Sequence, residues 1–349
     1  TFFGGIGGAS RKGILIKGSY YMDILAKVGT VVFDKTGTLT HGQFAVEAVH
    51  PERYSEHHLL HLAAHVEHFS THPIGAALRD AFPEEATDGC LVSDVEEIAG
   101  HGIRAKVGDN IVCVGNPKMM DAIGAKWHDC HHVGTIIHVA IDGEYAGHIV
   151  INDKVKDDSV NAIAQLKQLG VEKAVMLTGD REEVGRHVAQ QLALDEYHAE
   201  LLPADKVKFI DDLQIYDLRL NTSERSQIVN RKFANRKSIA FVGDGINDAP
   251  VLARADVGIA MGGLGSDAAI EAADVVLMDD QPSKVATAIR IARNTIAIAR
   301  QNVIFAIVVK VAVLLLASIG IATMWLAVFA DVGVTVLAVL NAMRALRTT

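Results

Sequence analysis

The chain has 349 residues, 50% of them hydrophobic, and a formal net charge of −9 at pH 7. Its length exceeds one ordinary domain, and its positive mean hydropathy argues against a purely soluble protein. A negative net charge without a long Lys/Arg block excludes nucleic acid as the main partner, because binding to phosphate backbones needs a basic face. The cysteines Cys90, Cys113 and Cys130 form no CxxC pair, which is typical of a reducing cytoplasm.

The first eight residues resemble neither a signal peptide nor a complete membrane span. We expect residues 1–22 to be the end of a preceding membrane helix and a linker. Because the sequence opens with Thr rather than Met, we also expect a segment upstream, although removal of an initiator Met would leave the same start.

Three short apolar runs are typical of buried parallel strands, and polar residues follow each of them. The runs are 30–33 before Asp34, 174–177 before Thr178, and 239–242 before Gly243 and Asp244. Amphipathic helices predicted at 157–169 and 182–194 alternate with these strands. This order predicts a doubly wound α/β fold with polar residues at the carboxyl ends of its strands, where such sheets form their sites.

A long segment interrupts this alternation with a helix near 56–69, glycine-rich turns and strands of its own. We therefore predict an inserted α+β domain at 41–148, so that 23–40 and 149–290 form the doubly wound domain. Residues 214–237 are polar and basic, which predicts a solvated loop or a surface helix.

The stretch Asp34-Lys35-Thr36-Gly37-Thr38 places a carboxylate at a strand tip, followed by hydroxyls and a glycine. A carboxylate in this position can attack a phosphoryl group directly, without a general base. The amides and hydroxyls of the loop would hold the transferring oxygens, and Gly37 lets the backbone turn close to them. The pattern therefore predicts phosphoryl transfer with Asp34 as the nucleophile.

Attack of an anionic carboxylate on an anionic phosphate requires neutralisation of charge, and Mg²⁺ held by oxygen ligands is the usual solution. We assign Asp34, Thr36, Asp244 and Asp248 to this Mg²⁺ site, with Asn247 orienting an oxygen without adding charge. One such Asp alone more often belongs to a turn or a helix cap, but the whole set indicates catalysis.

The stretches 34–40 and 243–250 resemble the two phosphorylation-domain signatures of P-type ATPases, and the resemblance continues along nearly the whole chain. It implies a haloacid dehalogenase-like phosphorylation domain with an inserted nucleotide-binding domain, and two transmembrane helices after them. It also implies that the Thr-Gly-Asp triplet at 178–180 contacts the phosphoryl group and that Lys206 lies near it. The resulting catalytic set is Asp34, Lys35, Thr36, Thr178, Gly179, Asp180, Lys206 and Asn247.

In the inserted domain, His72-Pro73 preceded by Glu67 resembles the nucleotide-binding signature of the heavy-metal-transporting branch. The resemblance implies that Glu67 and His72 hold the adenine of ATP, and that a Gly-x-Gly loop and a Gly-Asn pair complete the site. The implied nucleotide-binding residues are Glu67, His72, Gly100, Gly102, Gly115 and Asn116.

Histidines recur at helical spacing through this domain, so several can share one face and bind a metal ion. They are His57, His61, His65, His68 and His72. The alternative is a polar helix surface with His72 alone in the nucleotide site, and from the sequence no carboxylate or thiolate completes a metal set. The same two alternatives apply to a second group, His128, Cys130, His131 and His132.

Two apolar segments, 303–321 and 324–340, are about 19 and about 17 residues long, near the length that crosses the hydrocarbon layer. Arg293 precedes them and Arg344 follows them, which places both ends in the cytoplasm. We therefore predict a transmembrane hairpin at 301–342, in a multi-pass protein of the plasma membrane with cytoplasmic catalytic domains.

Lys310 and Asp331 lie within this hairpin. An ionisable group at mid-helix in lipid costs at least about 2.5 kcal/mol, so we expect both to face protein and to pair with each other. The alternative is that Lys310 snorkels to the interface and Asp331 caps a helix break near Gly333. Resemblance to the zinc/cadmium/lead branch implies that Asp331 binds the transported metal and that Lys310 is its counter-charge.

The resemblance implies ATP-driven export of Zn²⁺ or Cd²⁺, with Pb²⁺ and Co²⁺ as further candidates, through an aspartyl phosphate at Asp34. ATP, Mg²⁺, the cargo metal and the lipid bilayer are then the partners. Full-length relatives also carry a Thr-Gly-Glu actuator loop and a Cys-Pro-Cys helix, which this sequence lacks, so we expect a missing N-terminal membrane and actuator portion of the same pump.

Three alternatives stay open: a Cu⁺-exporting relative, a membrane-tethered haloacid dehalogenase-type phosphatase, and a catalytically silent fragment. The Met and Ser pattern of copper exporters is not found in the last apolar segment. Such phosphatases commonly carry a second acidic residue two positions after the nucleophile, where this sequence has Thr36.

Overall fold

The computed structural model describes residues 1–70, 73–86, 89–130, 132–220, 237–244, 248–262, 267–321 and 323–347. The chain divides into two compact units. The large unit comprises Thr1–Leu39 and Asp157–Thr349, and the inserted unit comprises Thr40–Lys156.

Strands and helices alternate along most of the chain. The strands are β1 (Ile14–Ile16), β2 (Val28–Asp34), β3 (Thr40–Pro51), β4 (Val92–Ile98), β5 (Gly102–Val107), β6 (Asn110–Gly115), β7 (Thr135–Ile141), β8 (Glu144–Val155), β9 (Lys173–Leu177), β10 (Glu196–His198), β11 (Ser238–Gly243), β12 (Val257–Met261) and β13 (Val275–Leu277). The helices are α1 (Phe2–Arg11), α2 (Ser19–Ala26), α3 (Glu56–Glu67), α4 (Pro73–Ala81), α5 (Pro117–Ile123), α6 (Ser159–Gln168), α7 (Glu182–Gln191), α8 (Pro203–Leu220), α9 (Ala249–Arg254), α10 (Asp267–Ala272), α11 (Ser283–Ser318), α12 (Met324–Val328), α13 (Val334–Ala342) and α14 (Arg344–Arg347).

The large unit is built on a sheet with the strand order β1-β13-β12-β11-β2-β9-β10. Pairing is parallel from β13 to β10, and β1 pairs antiparallel with β13. The strands are apolar because parallel strands of this kind are buried on both faces by helices. The side chains of Val32, Val175 and Phe241, for example, are fully buried. The predicted doubly wound α/β fold is confirmed.

Strand register brings the predicted polar residues to one edge of this sheet. β2 lies between β9 and β11, with Asp34 opposite Leu177 and Phe33 opposite Val242. Because the three strands are parallel, the residues that follow their carboxyl ends lie side by side.

The inserted unit contains an antiparallel sheet in the order β3-β8-β7-β6-β5-β4. Its core packs side chains of α3 and α4, including Leu59 and Leu78, against strand residues such as Ile149. β8 pairs with β3 as far as Val155, so the compact unit ends at Lys156, whereas the sequence-based boundary at 148/149 falls inside this strand.

The helix α11 joins the α/β core to the apolar C-terminal part of the chain. Its first turns are buried, for example at Ile289 and Thr295, whereas Val303 and Leu314 are 58% and 69% exposed. By length and composition, two helical segments are suited to crossing a membrane. One is α11 (Ser283–Ser318), and the other is the segment Met324–Leu346, which contains α12, α13 and most of α14. The predicted hairpin therefore has two helical segments that are long and apolar enough to cross a membrane, and the first of them begins well inside the large unit.

Arg293, which is one of the positive charges that precede the apolar segments, also has a structural role. From α11 its guanidinium donates hydrogen bonds to the backbone oxygens of Ala26, Leu169 and Val28. Hydrogen bonds from a charged group contribute roughly 1.5–3 kcal/mol each when buried. The side chain therefore fixes α11 to α2, to β2 and to the end of α6.

Candidate functional site

The predicted nucleophile, Asp34, ends β2 and is followed by an irregular turn at Lys35–Leu39. Thr36 has extended backbone angles (φ −72°, ψ 128°), whereas Gly37 has φ +74°, a conformation that favours glycine. A Cβ atom at Gly37 would also overlap the carboxylate of Asp244. The turn therefore needs glycine for its backbone and for the close approach of an acidic side chain.

Three carboxylates meet at the carboxyl ends of β2 and β11. The oxygens of Asp34, Asp244 and Asp248 lie within 4.8 Å of one another, and Asp34 and Asp248 are buried. Lys206, from the first turn of α8, places Nζ 2.5 Å from Oδ1 of Asp34 and 3.1 Å from Oδ1 of Asp248. Residues that are far apart in sequence thus form one charged cluster.

The electrostatics of this cluster favour a bound cation. Burial, together with the neighbouring charge of Asp248, raises the pKa of Asp34 to about 7, and the ammonium of Lys206 opposes that increase. One ammonium cannot balance three carboxylates, and convergent oxygen ligands are what Mg²⁺ prefers. The donor set of Asp34, Asp244 and Asp248 therefore fits the predicted Mg²⁺.

The other predicted catalytic residues lie beside this cluster. Lys35 is buried and places Nζ 2.8 Å from Oδ2 of Asp180. Thr178, also buried, directly follows Leu177, the register partner of Asp34 on β9. Its hydroxyl accepts a hydrogen bond of 3.1 Å from the Asp180 amide, which closes the turn through Gly179. Asn247 lies outside the described residues.

A cavity of about 340 Å³ in the inserted unit gathers the residues predicted to bind nucleotide. Five of the six predicted residues line it, and the sixth, His72, lies outside the described residues. The five are Glu67, Gly100, Gly102, Gly115 and Asn116. Apolar side chains, including Ile98 and Ile136, complete the wall and suit the flat face of a base.

The glycines of this cavity also have a structural reason. Gly102 on β5 pairs with Gly115 on β6, and a Cβ atom at Gly102 would overlap the backbone oxygen of Val114. Asn116 caps α5 by accepting from the amide of Lys118, and its amide nitrogen donates to the backbone oxygen of Gly100 at 2.8 Å. These residues therefore hold the loop that forms one wall of the cavity.

The histidines of α3 have different surroundings from one another. His57 is exposed and lies 3.6 Å from Glu84. The ligand atoms of His61 and His65 lie within 4.8 Å of each other and of the Cys90 thiol. From the sequence no thiolate completes a metal set on this helix, but the fold brings Cys90, which lies outside the helix, close to both histidines.

A second group combines one residue that the sequence singled out with two that it missed. Cys130 lies with His50 and His148, and their ligand atoms are within 4.8 Å of one another. His50 on β3 and His148 on β8 are opposite each other in register. Only the pairing of these two strands could have revealed the contact, because no local spacing relates the residues.

In the apolar hairpin, Lys310 on α11 and Asp331 form the predicted pair, with Nζ 3.3 Å from Oδ1. The expectation that both face protein is wrong for the part of the chain that the structure describes, because the two side chains are 57% and 77% exposed. Asp331 lies in a π-helical turn at Phe329–Gly333, a feature common at functional sites. The alternative of a helix break near Gly333 is wrong, since that residue has helical angles of φ −61° and ψ −44°.

Comparison with known proteins gives consistent results. A family described as haloacid dehalogenase-like hydrolase matches residues 28–256, and a second family with the same description matches residues 224–289. A zinc-transporting ATPase of Synechocystis sp. (strain ATCC 27184 / PCC 6803 / Kazusa) is 54% identical over 98% of this chain and 45% of the relative. A cadmium, zinc and cobalt-transporting ATPase of Bacillus subtilis (strain 168) is 50% identical over 99% of this chain and 47% of the relative.

Solved structures agree with these matches. A crystal structure of a zinc-transporting PIB-type ATPase in the E2.Pi state has a TM-score of 0.84 and 34% identity, and the match covers 99% of this chain and 54% of that one. The catalytic domain of the CPx-ATPase CopB-B has a TM-score of 0.58 and 30% identity, with 80% of this chain and 96% of that chain covered. The chain spans about half the length of the curated relatives it matches. It therefore belongs to the haloacid dehalogenase-like hydrolases and is similar over nearly its whole length to heavy-metal-transporting P-type ATPases.

Proposed function

We propose that this chain is the ATP-hydrolysing and C-terminal membrane part of a pump that exports Zn²⁺ or Cd²⁺. The observation that carries the proposal is the buried Asp34 at the end of a central strand, in contact with Lys206 and grouped with Asp244 and Asp248. The names of two relatives, a zinc-transporting ATPase and a cadmium, zinc and cobalt-transporting ATPase, support the choice of cargo.

In the proposed reaction, a carboxylate oxygen of Asp34 attacks the γ-phosphorus of ATP. An oxygen–phosphorus bond forms to Asp34 while the bond to ADP breaks, and the product is an aspartyl phosphate. Lys206 balances negative charge at the attacking oxygen, and Lys35, the next residue along the chain from Asp34, forms an ion pair with Asp180. Mg²⁺, when bound by Asp34, Thr36, Asp244 and Asp248, would supply further charge neutralisation.

Asp331 and Lys310 would serve the transport step in the membrane. A carboxylate in a lipid-facing segment is costly without a partner, and Lys310 supplies one at 3.3 Å. A divalent cation that binds Asp331 can take the place of the ammonium, so the ion pair would be the metal-free state of the site. The pump would then be a multi-pass protein of the plasma membrane with its catalytic units in the cytoplasm.

Transport by the full-length pump in inside-out membrane vesicles tests this function. We expect ATP-dependent uptake of Zn²⁺ and Cd²⁺, and stimulation of ATP hydrolysis by the same ions. Stimulation by Cu⁺ alone would favour the copper-exporting alternative. Hydrolysis of small phosphate esters without any metal-stimulated ATP hydrolysis would favour the phosphatase, although Thr36, two positions after the nucleophile, argues against it.

The nucleotide cavity leads to a separate prediction. We expect Glu67→Gln and His72→Gln in the full-length pump each to raise the ATP concentration for half-maximal phosphorylation by about tenfold, as loss of roughly 1.4 kcal/mol of binding would. Labelling of Asp34 by inorganic phosphate should stay nearly unchanged, because that reaction uses no adenine.

Glu56→Gln is the matched control, since Glu56 begins the same helix but is exposed and does not line the cavity. It should leave both labelling reactions unchanged. Equal losses in the ATP and phosphate assays for Glu67→Gln would contradict a role of Glu67 in nucleotide binding.

A further inference from the structure

A row of imidazoles crosses the sheet of the inserted unit, and none of these histidines is among the residues that line the nucleotide cavity. His50 on β3 is in register with His148 on β8, which is in register with His138 on β7. Cys130 and His132, in the segment before β7, lie next to this row. The ring centroid of His132 is 4.6 Å from that of His50, and its Nδ1 is 3.8 Å from Sγ of Cys130.

Three side chains of this group are spaced for one metal ion. The ligand atoms of His50, Cys130 and His148 all lie within 4.8 Å of one another. In a tetrahedral zinc site with bonds of about 2.0–2.3 Å, ligand atoms are about 3.3–3.8 Å apart. Rotation of the Cys130 side chain, which is only partly buried, can close the remaining gap.

Two nitrogens in the group are buried without a partner. Within the described part of the chain, Nε2 of His50 and Nε2 of His148 neither accept nor donate a hydrogen bond. His148 is only 4% exposed, so water does not readily compensate. An unsatisfied buried polar atom costs about 1–3 kcal/mol, and a cation bound by both nitrogens would remove that cost.

A hydrogen-bond chain orients His148 for metal binding. The Tyr145 hydroxyl lies 3.2 Å from Nδ1 of His148 and 2.9 Å from Nδ1 of His138. When Nδ1 of His148 donates to Tyr145 and Tyr145 donates to His138, Nε2 of His148 keeps its lone pair. Metal-binding histidines usually have such a second partner on the opposite ring nitrogen.

The protonation states agree with this orientation. Burial, with the neighbouring charges of His50, His138 and His128, lowers the pKa of His148 to about 4, so its imidazole is neutral at pH 7. Burial also raises the pKa of Tyr145, so its hydroxyl keeps the proton that it donates. A neutral imidazole is the form that binds a metal ion.

We propose that His50, Cys130 and His148 form a binding site for Zn²⁺ or Cd²⁺ in the inserted unit, with His132 as the fourth ligand. Two or three imidazoles and one thiolate are the donors that these cations prefer and that Mg²⁺ does not. The site is independent of the proposed transport, because it shares no residue with Asp331 or with the phosphorylation cluster.

The histidine and cysteine cluster at the end of α3 is the weaker candidate of the two. His61, His65 and Cys90 are within the same distance of one another. Unlike His50 and His148, His61 and His65 contribute no nitrogen to the buried side-chain atoms without a hydrogen-bond partner in the described part of the chain. Its cysteine nevertheless provides an internal comparison for the experiment.

Residue-resolved alkylation of the cysteines tests the proposal on the whole chain in detergent. Iodoacetamide modification of Cys130 and Cys90 would be followed by mass spectrometry without metal and with equimolar ZnCl₂, CdCl₂ or MgCl₂. We expect Zn²⁺ and Cd²⁺ to slow alkylation of Cys130 at least tenfold and Mg²⁺ to leave it unchanged. Equal rates for Cys130 with and without Zn²⁺ or Cd²⁺ would overturn the proposal.

Ligand variants then decide whether the protection comes from this site. In His148→Gln and in His50→Ala, Zn²⁺ should no longer protect Cys130, whereas the control His58→Gln, on α3, should keep full protection. His50 is less buried than His148, so His50→Ala provides the test even when His148→Gln fails to fold, as thermal unfolding would show. Protection of Cys130 that persists in His50→Ala would contradict the proposed ligand set.

Discussion

Asp34→Asn is expected to abolish acid-stable phosphorylation by ATP and to lower ATP hydrolysis by more than about 10³-fold. The amide oxygen is a far weaker nucleophile than a carboxylate, and the substitution keeps the size of the side chain. It also removes one of the three negative charges that gather beside Lys206, so Mg²⁺ affinity should fall as well. No other described side chain replaces Asp34 at the end of β2.

The measurement is labelling with γ-labelled ATP and Mg²⁺, followed by acid quench and treatment with hydroxylamine, which cleaves acyl phosphates. Asp23→Asn is the matched control, because Asp23 lies on α2 and its exposed side chain forms an ion pair with Lys27. It should keep full, hydroxylamine-sensitive labelling. Hydroxylamine-resistant label that persists in Asp34→Asn would place the phosphoryl group on another residue and would contradict the proposed nucleophile.

The cluster of polar residues at the carboxyl ends of β2, β9 and β11 could be predicted because the sequence patterns that indicate it are local. Short apolar runs end just before Asp34, Thr178 and Gly243, and parallel pairing brings these ends together. In a doubly wound sheet the strand order is constrained, so polar residues after buried strands converge whatever the intervening sequence. The contact between Lys206 and Asp34 came from family resemblance rather than from spacing, since 172 positions separate the two residues.

Features that depend on antiparallel register were not accessible in this way. His50 and His148 meet only because β3 and β8 pair along nearly their full length, and a shift of one residue would separate the two side chains. The predicted end of the inserted domain at residue 148 differs from the end of the compact unit at Lys156 for the same reason, since the pairing of β8 continues through Val155. Burial of the first half of α11 was also not evident, because its apolar residues continue into the exposed apolar segment without a break.

Asp331→Ala in the full-length pump is expected to remove stimulation by Zn²⁺ and Cd²⁺. Loss of an outer-shell partner of a metal ligand typically costs roughly 10–100-fold in affinity, so loss of a ligand should raise the half-maximal metal concentration at least about 100-fold. Phosphorylation of Asp34 by inorganic phosphate should persist, because that reaction needs no cargo. An unchanged metal response would mean that the cargo binds elsewhere.

Comparison with Lys310→Gln separates a metal ligand from an ion pair that only stabilises the hairpin. If the pair is structural, both substitutions break the same 3.3 Å contact and should impair folding and activity equally. A ligand role predicts a large difference instead, since Lys310→Gln leaves the Asp331 carboxylate in place and should retain metal stimulation. Thr335→Ala controls for disturbance of the helix, because the Thr335 hydroxyl bonds only to the backbone oxygen of Asp331 among the hydrogen bonds described for it. Retained stimulation in Lys310→Gln and Thr335→Ala, with none in Asp331→Ala, would assign metal binding to the carboxylate itself.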